Sequence, residues 1–429
     1  MSHMVLRRRS TFQRRYPVQS PDSFWLATGP VWEGSTRDLP RRAGVCVLGA
    51  GVMGSTLAYW LARDGHSPLV LERNPSPAMG SSGRNAGRVI QGGNAQHANA
   101  IAKFGAQEAL AIYRATLDNR DLLREVTARE GLTEVRTGAV KLDLAETEEE
   151  ALLLKHTAEA LNSDGIEAEW LDHTDAQAVF GTRLPEQVLG GLSRPDQETV
   201  HSVRYVRGVA KAAVRHGAEF ACGVTVLGVE PAAGSGWRVL TDAGVVLADQ
   251  VVVALNAWVP HLFPELSSVI VPVRGHLVQT EPVPFRIAQW GLNHGLVYGG
   301  QTPDGSLLLG GLRNTLPDRD ENITLPPGDN APDVLPGLID QLASVLPQLI
   351  PEADGAPVVR AWSGVMAFTP DRCPLVGAWP GAEGLWLIAG FNGHGMPYSQ
   401  AMPKGLAERI GGGQGLGIPG SFDPARFLA

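Results

Sequence analysis

The 429-residue chain is poor in cysteine and lysine and has no long apolar run. Cys46, Cys222 and Cys373 are odd in number, far apart and without a CxxC pair, which argues against a disulfide framework or a zinc site. No apolar stretch reaches the roughly 18 residues of a transmembrane helix, and the arginine-rich arm lacks the apolar region of an export signal. The net charge of −8 argues against a nucleic-acid partner. Together with the cysteine pattern and the lack of a long apolar run, we expect a cytoplasmic protein that does not bind a membrane.

A glycine-rich turn between two apolar segments is the strongest motif in the chain. In VCVLGAGVMG, residues 45–54, Gly49, Gly51 and Gly54 form GxGxxG. The pattern predicts a strand, this turn, a helix over Val52–Arg63, and a second strand that ends at Glu72. Such a unit holds a dinucleotide pyrophosphate at the helix N-terminus, and an acid about 20 residues after the first glycine binds ribose. The acid favours NAD or FAD over NADP.

Two further glycine-rich segments have the composition of ligand-binding loops. SSGRNAG, residues 81–87, lacks helix or strand periodicity. Near the C-terminus, GFNGHGM follows a predicted buried strand over Leu385–Ala389 and precedes a helix predicted to begin near Met396. The N-terminus of that helix would suit partial negative charge on a ligand.

The nucleotide fold is predicted to be discontinuous. We assign residues 1–42 to an N-terminal arm, 43–97, 200–265 and 360–415 to the dinucleotide-binding domain, 98–199 and 266–359 to a second domain, and 416–429 to a C-terminal tail. In the second domain, residues 98–130 have one helical pattern and residues 135–144 alternate as a half-buried strand. The fold class is therefore α/β, with a Rossmann-like domain interrupted by an α+β domain built on an antiparallel sheet.

In this order, the motifs resemble the FAD-dependent D-amino-acid oxidase superfamily, which includes glycine oxidase, sarcosine oxidase and related amine oxidoreductases. The carriers are VCVLGAGVMG with Glu72, SSGRNAG, VVVALNAW at 251–258, PVRGH at 272–276, WSGVMAFTPDRCPLVG at 362–377 and GFNGHGM. The resemblance covers about residues 43–427 and implies FAD rather than NAD.

The resemblance implies where FAD lies. The pyrophosphate would contact the glycine turn, the ribose Glu72, the isoalloxazine ring the SSGRNAG loop, and flavin N1 and O2 the GHGM segment. The expected FAD-binding residues are Gly49, Gly51, Val52, Met53, Gly54, Glu72, Arg73, Ser82, Gly83, Arg84, Asn85, Ala86, Val224, Asn256, Ala257, Trp258, Gly364, Gly393, His394, Gly395 and Met396.

Three positions depart from the family's pattern. Gly364 stands where sarcosine-type members attach the flavin to a cysteine, so noncovalent FAD is expected. Met366 replaces a carboxylate-binding arginine of glycine-oxidase-like members, and Pro397 replaces a substrate-binding lysine of sarcosine oxidases. Either Arg274 or Arg313 substitutes as the carboxylate anchor, or the substrate is not a simple α-amino acid.

The expected substrate residues are Arg274, His394, Tyr298 and Met366, and His276 and His294 are further pocket candidates. The resemblance implies oxidation of a C–N bond of an amine or amino-acid-like compound by hydride transfer to flavin N5, followed by imine hydrolysis. The electrons would pass to O2 or to another acceptor. The alternative is a flavin-binding electron-relay subunit without its own substrate oxidation. No metal is expected, and the oligomeric state stays open.

Overall fold

The computed structural model describes residues 22–35, 38–292, 295–316, 334–415 and 417–428. His294 and most of the N-terminal arm lie outside the described residues. The strands are β1 Arg42–Leu48, β2 Leu69–Glu72, β3 Arg88–Val89, β4 Arg136–Ala145, β5 Glu169–Asp172, β6 Gly190–Val200, β7 Glu219–Cys222, β8 Val226–Pro231, β9 Trp237–Thr241, β10 Gly244–Val253, β11 Val271–Pro282, β12 Gln289–Leu292, β13 Val297–Gln301, β14 Ser306–Gly311, β15 Val358–Phe368, β16 Leu375–Ala378 and β17 Leu385–Ala389.

The helices are α1 Phe24–Thr28, α2 Val52–Arg63, α3 His97–Phe104, α4 Ala106–Arg129, α5 Glu148–Ser163, α6 His173–Phe180, α7 Ser202–Arg215, α8 Val259–Leu262, α9 Pro336–Leu349, α10 Ala401–Ile410 and α11 Ala425–Leu428. The predicted bounds of α2 are confirmed. The single helical pattern of residues 98–130 is instead two helices, because Gly105, with φ +82°, ends α3 before α4 begins. In the part of the chain that the structure describes, no helix is both long and apolar enough to cross a membrane.

The first sheet is the predicted Rossmann-like sheet. Its strands run in the order β16-β17-β10-β1-β2-β7, and the β8–β9 hairpin joins through β10. β1 pairs in parallel with β2 and β10, while β16 is antiparallel to β17. Residues of α2, α7 and α10 share one apolar core against one face. This burial explains why β1 and β2 are nearly continuous apolar runs.

The second sheet supplies the α+β part of the fold and is mostly antiparallel. Its order is β15-β11-β14-β13-β12-β4-β6-β3, and β5 pairs with β6. Among the described pairings of this sheet, β12 with β4 is the only parallel one. The helix α9 packs on this sheet in a second apolar core. Both β3 and most of β15 lie inside the ranges assigned to the dinucleotide-binding domain but pair in the second sheet, and the domain bounds themselves stay a prediction.

Candidate active site

One continuous cavity of about 970 Å³ is lined by residues of both sheets. Most of the expected FAD-binding residues line it, and only Gly54, Gly83 and Ala257 of that set do not. Tyr298, Met366 and His394 also line it, whereas Arg274 does not. The motifs from the two ends of the chain and from its middle therefore meet around one space.

The glycine turn has the close backbone contacts that its motif predicts. A Cβ on Gly54 would lie 1.9 Å from the carbonyl oxygen of Gly49, and a Cβ on Gly51 would lie 3.2 Å from Ser82 Oγ. The same Ser82 hydroxyl accepts the amide N–H of Val52 at 2.9 Å. Gly54 thus allows α2 to approach β1. The Ser82 hydroxyl connects the SSGRNAG loop to the start of α2.

The Glu72 carboxylate is buried at the end of β2 and held in place by three N–H donors. Oε2 accepts the Ala50 amide at 2.8 Å, and Oε1 accepts the amide and the side-chain Nδ2 of Asn74 at 2.8 and 2.7 Å. A carboxylate has about four acceptor positions, so this arrangement leaves capacity for hydroxyl donors. The Glu72 carbonyl also accepts the Val224 amide at 2.9 Å, which places both residues at one end of the cavity.

The SSGRNAG loop is supported by the segment that precedes the first sheet. Trp25 of α1 is fully buried, and its Nε1 donates to the carbonyl oxygen of Asn85 at 2.6 Å. The Asn85 side chain accepts the Gly87 amide at 2.8 Å and closes the loop. The buried side chains of Phe24 and Trp25 thus anchor this segment on the body of the protein next to the loop.

His394 lines the same cavity as Glu72 and belongs to the loop that follows β17. Its Nε2 lies 2.8 Å from the carbonyl oxygen of Gly92, so Nε2 carries a proton and donates. Burial, together with smaller effects of the nearby cations Lys141, Arg88 and Arg194, lowers the pKa of His394 to about 4. The imidazole is therefore neutral near pH 7 and supplies no positive charge there.

The expected helix start near Met396 is wrong by one turn, since Met396–Tyr398 is a 3-10 turn and α10 begins at Ala401.

Met366 lies where β11 and β15 pair below the cavity. Gly275 of β11 is opposite Gly364 of β15, and both line the cavity. A Cβ on Gly275 would lie 2.9 Å from Met366 Cε, and a Cβ on Gly393 would lie 2.9 Å from its Sδ. The Met366 thioether thus fills space that two glycines leave open.

Of the two arginines considered as carboxylate anchors, Arg313 lines the cavity and Arg274 does not. The Arg313 guanidinium lies 4.3 Å above the Phe368 ring, and Arg372 lies 4.5 Å from the same ring. Burial raises the pKa of Tyr298. The positive charges of Arg88 and Arg313 are close enough to oppose that rise.

Four charged residues that the motifs did not indicate also line the cavity: Arg88, Lys141, Asp143 and Arg194. Lys141 Nζ lies 2.8 Å from Asp143 Oδ1, and Arg194 Nη2 contacts Asp143 Oδ2. The sequence offered one indication of this group. Lys141 and Asp143 are two residues apart in a largely apolar strand pattern, and this spacing places both side chains on one face of the strand. Among the described residues, no group of side chains could hold a metal ion.

Comparisons with known proteins agree on one family. The chain matches the family described as DAO, FAD dependent oxidoreductase, over residues 44–409. It is 27% identical to a D-amino acid dehydrogenase of Cereibacter sphaeroides, over 86% of this chain and 92% of the relative. Among solved structures, L-proline dehydrogenase from P. horikoshii is similar with a TM-score of 0.77 and 22% identity, covering 91% of this chain and 98% of that one. Glycine oxidase from Geobacillus kaustophilus is similar with a TM-score of 0.75 and 23% identity, covering 91% and 99%.

Proposed function

Because the chain belongs to the family of FAD-dependent oxidoreductases, we propose that it oxidises the C–N bond of an amino-acid-like compound with FAD as its cofactor. The observation that carries the proposal is the single cavity that connects Glu72 to Tyr298, His394 and Arg313. The names of the relatives, a D-amino acid dehydrogenase and a glycine oxidase among them, support an amino-acid-like substrate.

The residues around the cavity fit FAD. At one end, Gly51 leaves room where a side chain would approach Ser82, and the first turn of α2 has N–H groups without helical partners for a pyrophosphate. Glu72 is fixed by its three donors and would bind ribose hydroxyls. At the other end, the Gly393–Met396 segment lines the cavity where a flavin ring would lie. Gly364 has no side chain to form a bond, which supports noncovalent binding.

When bound, FAD supplies two-electron oxidation of the carbon that carries the amine. The protein's part is to orient that carbon and to keep the reaction away from water. We assign the carboxylate of the substrate to Arg313, with the Tyr298 hydroxyl as a second donor, because both line the cavity. The imine product then reacts with water to give a carbonyl compound and ammonia, or an amine where the nitrogen carries a substituent.

His394 has a positioning role in this proposal. As a neutral ring that donates to the Gly92 carbonyl, it fixes the loop before α10 and leaves Nδ1 as an acceptor. It cannot provide the positive charge that favours reaction of a reduced flavin with O2. Whether O2 or another acceptor takes the electrons is therefore decided by other groups, and air reoxidation against reoxidation by an added quinone or dye distinguishes the two.

The test is anaerobic mixing of the FAD-loaded protein with a panel of D- and L-amino acids, glycine, proline and N-methylated amines. We expect loss of the visible flavin absorbance with at least one of them. If no compound reduces the flavin, the proposal fails, and the electron-relay alternative remains.

Two arginine variants test the carboxylate assignment. Arg313→Met removes a charge-assisted hydrogen bond and is expected to lower kcat/KM by about 10- to 100-fold. Arg274→Met is the comparison, since Arg274 lies on β11 but outside the cavity lining. A large loss in Arg274→Met with little change in Arg313→Met would reverse the assignment.

We also propose that the protein works in the cytoplasm. Cys46, Cys222 and Cys373 are all free thiols, as is usual in a reducing compartment. Fractionation of cells that produce the full chain, with detection in each fraction, tests this location.

A further inference from the structure

One wall of the cavity has three cationic side chains and a single carboxylate. Lys141 and Asp143 lie on β4, Arg194 on β6 and Arg88 on β3, and all four line the cavity. Asp143 binds Lys141 through Oδ1 and Arg194 through Oδ2. One carboxylate thus faces three positive charges. We call these four residues the cationic wall.

The other polar contacts of the cationic wall do not balance this charge. Arg194 Nη1 donates to the carbonyl oxygen of Gln91 at 3.0 Å, and Arg88 Nε donates to Gln289 Oε1 at 3.2 Å, both neutral acceptors. Nη2 of Arg88 is buried and has no hydrogen-bond partner among the described residues. Lys141 and Arg194 are only 8% and 5% exposed. Buried cations without a matching anion are costly, which favours an anionic ligand at this wall.

The charge also affects Lys141. Burial is the main reason that its pKa falls to about 7, and the positive charge of Arg194 is the next. An anion beside the ammonium group would oppose both effects and raise the pKa of Lys141. The positive charge of Arg194 is thus a cause of the lowered pKa second to burial.

The cationic wall is distinct from the Arg313 side of the cavity. The Arg88 guanidinium lies 5.5 Å from the centre of the Tyr298 ring, and Tyr298 is also close enough to Arg313 for its charge to act on the phenol. Tyr298 is therefore close to one cation of the wall and to Arg313. Two anionic groups on one small molecule could reach both.

We propose that the cationic wall binds a second acidic group of the substrate, so that the substrate is an amino-acid-like dicarboxylate. This inference rests on the proposed function for the amine chemistry and on the assignment of the first carboxylate to Arg313. The second carboxylate would accept hydrogen bonds from Lys141, whose ammonium group has three N–H donors, and from Arg88 Nη2. Arg194 Nε is a further buried donor without a partner among the described residues.

Binding without turnover tests the proposal. The FAD-loaded protein is titrated by calorimetry with glutarate and with butyrate, which differ by one carboxylate. Each charge-assisted hydrogen bond is worth a factor of about 10 to 100, so glutarate should bind at least about 10-fold more tightly than butyrate. Equal affinities, or no binding of glutarate, overturn the proposal. If only neutral amino acids reduce the flavin, the proposed function is supported and the inference of a dicarboxylate substrate is refuted.

Variants locate the second carboxylate. Lys141→Met should reduce the glutarate-to-butyrate affinity ratio by about 10-fold or more, and Lys141→Arg should restore most of it. Arg88→Gln should act in the same direction and leaves both ion pairs of Asp143 in place, so it serves if Lys141→Met does not fold. Lys155→Met is the matched control, since Lys155 lies on α5 over the Trp170 ring and outside the cavity lining. An equal loss of affinity for glutarate and butyrate in both wall variants would contradict the proposal.

Discussion

Replacing Gly54 with alanine tests whether the close approach of α2 to β1 is needed for FAD binding. The new Cβ would lie 1.9 Å from the Gly49 carbonyl oxygen, where real Cβ contacts do not fall below 3.0 Å. The obstacle is backbone in the cofactor turn, so it cannot rotate away as a side chain would. Helix α2 would have to move outward by about 1 Å against α7 and α10, with which it shares a core.

The magnitude follows from two opposing effects. Overpacking of this kind costs up to about 3 kcal/mol, and replacing a helix glycine with alanine recovers about 1 kcal/mol. We therefore expect Gly54→Ala to lower the free energy of unfolding by about 2 kcal/mol. FAD affinity should fall as well, because the displaced helix carries the N–H groups that face the pyrophosphate.

The assays are urea unfolding of the apoprotein and fluorescence titration with FAD. Gly337→Ala is the matched control, because Gly337 is an exposed helix glycine in α9 whose added Cβ meets nothing within 4 Å. It should leave stability unchanged or slightly raised. If Gly54→Ala unfolds at the wild-type urea concentration and binds FAD as tightly, the steric explanation of this glycine is wrong.

Two further predictions concern the ends of the cavity. Glu72→Gln removes the charge that accepts three N–H donors, so FAD should bind about 10-fold or more weakly by fluorescence titration, while Glu219→Gln at an exposed position of β7 should change nothing. Because burial lowers the pKa of His394 from 6.5 to about 4, the unfolded chain binds more protons between these pH values. The free energy of unfolding should therefore fall as pH drops from 6.5 towards 4, and it should fall less in His394→Gln. If the free energy of unfolding has the same pH dependence in both proteins, the pKa shift is refuted.

The cofactor end of the cavity could be predicted because its determinants are local. The strand, turn, helix and terminal acid of residues 45–72 form one contiguous unit, so their spacing is visible in the sequence. The cationic wall could not be predicted in the same way. Its members come from β3, β4 and β6, and only strand pairing brings Arg88, Lys141 and Arg194 to the same wall.

The choice between Arg274 and Arg313 had a related difficulty. Successive residues of a strand face opposite sides, so a shift of one position decides whether a side chain reaches a ligand. On β11, Gly275 lines the cavity and Arg274 does not. The PVRGH motif located the strand correctly but did not determine which of its faces the arginine occupies.

The position of Met366 explains why the cationic groups come from other strands. Its thioether occupies the space that Gly275 and Gly393 leave, with an added Cβ on either glycine only 2.9 Å from the side chain. Beside it, a Cβ on Gly364 would lie 3.0 Å from Arg84 Cβ, so this part of β15 is closely packed. An arginine at position 366 would be longer than this glycine-lined space allows, and its charge would need polar partners. In our proposal, carboxylate binding is therefore assigned to Arg313 after β14 and to the cationic wall, whose residues line the cavity from other parts of the second sheet.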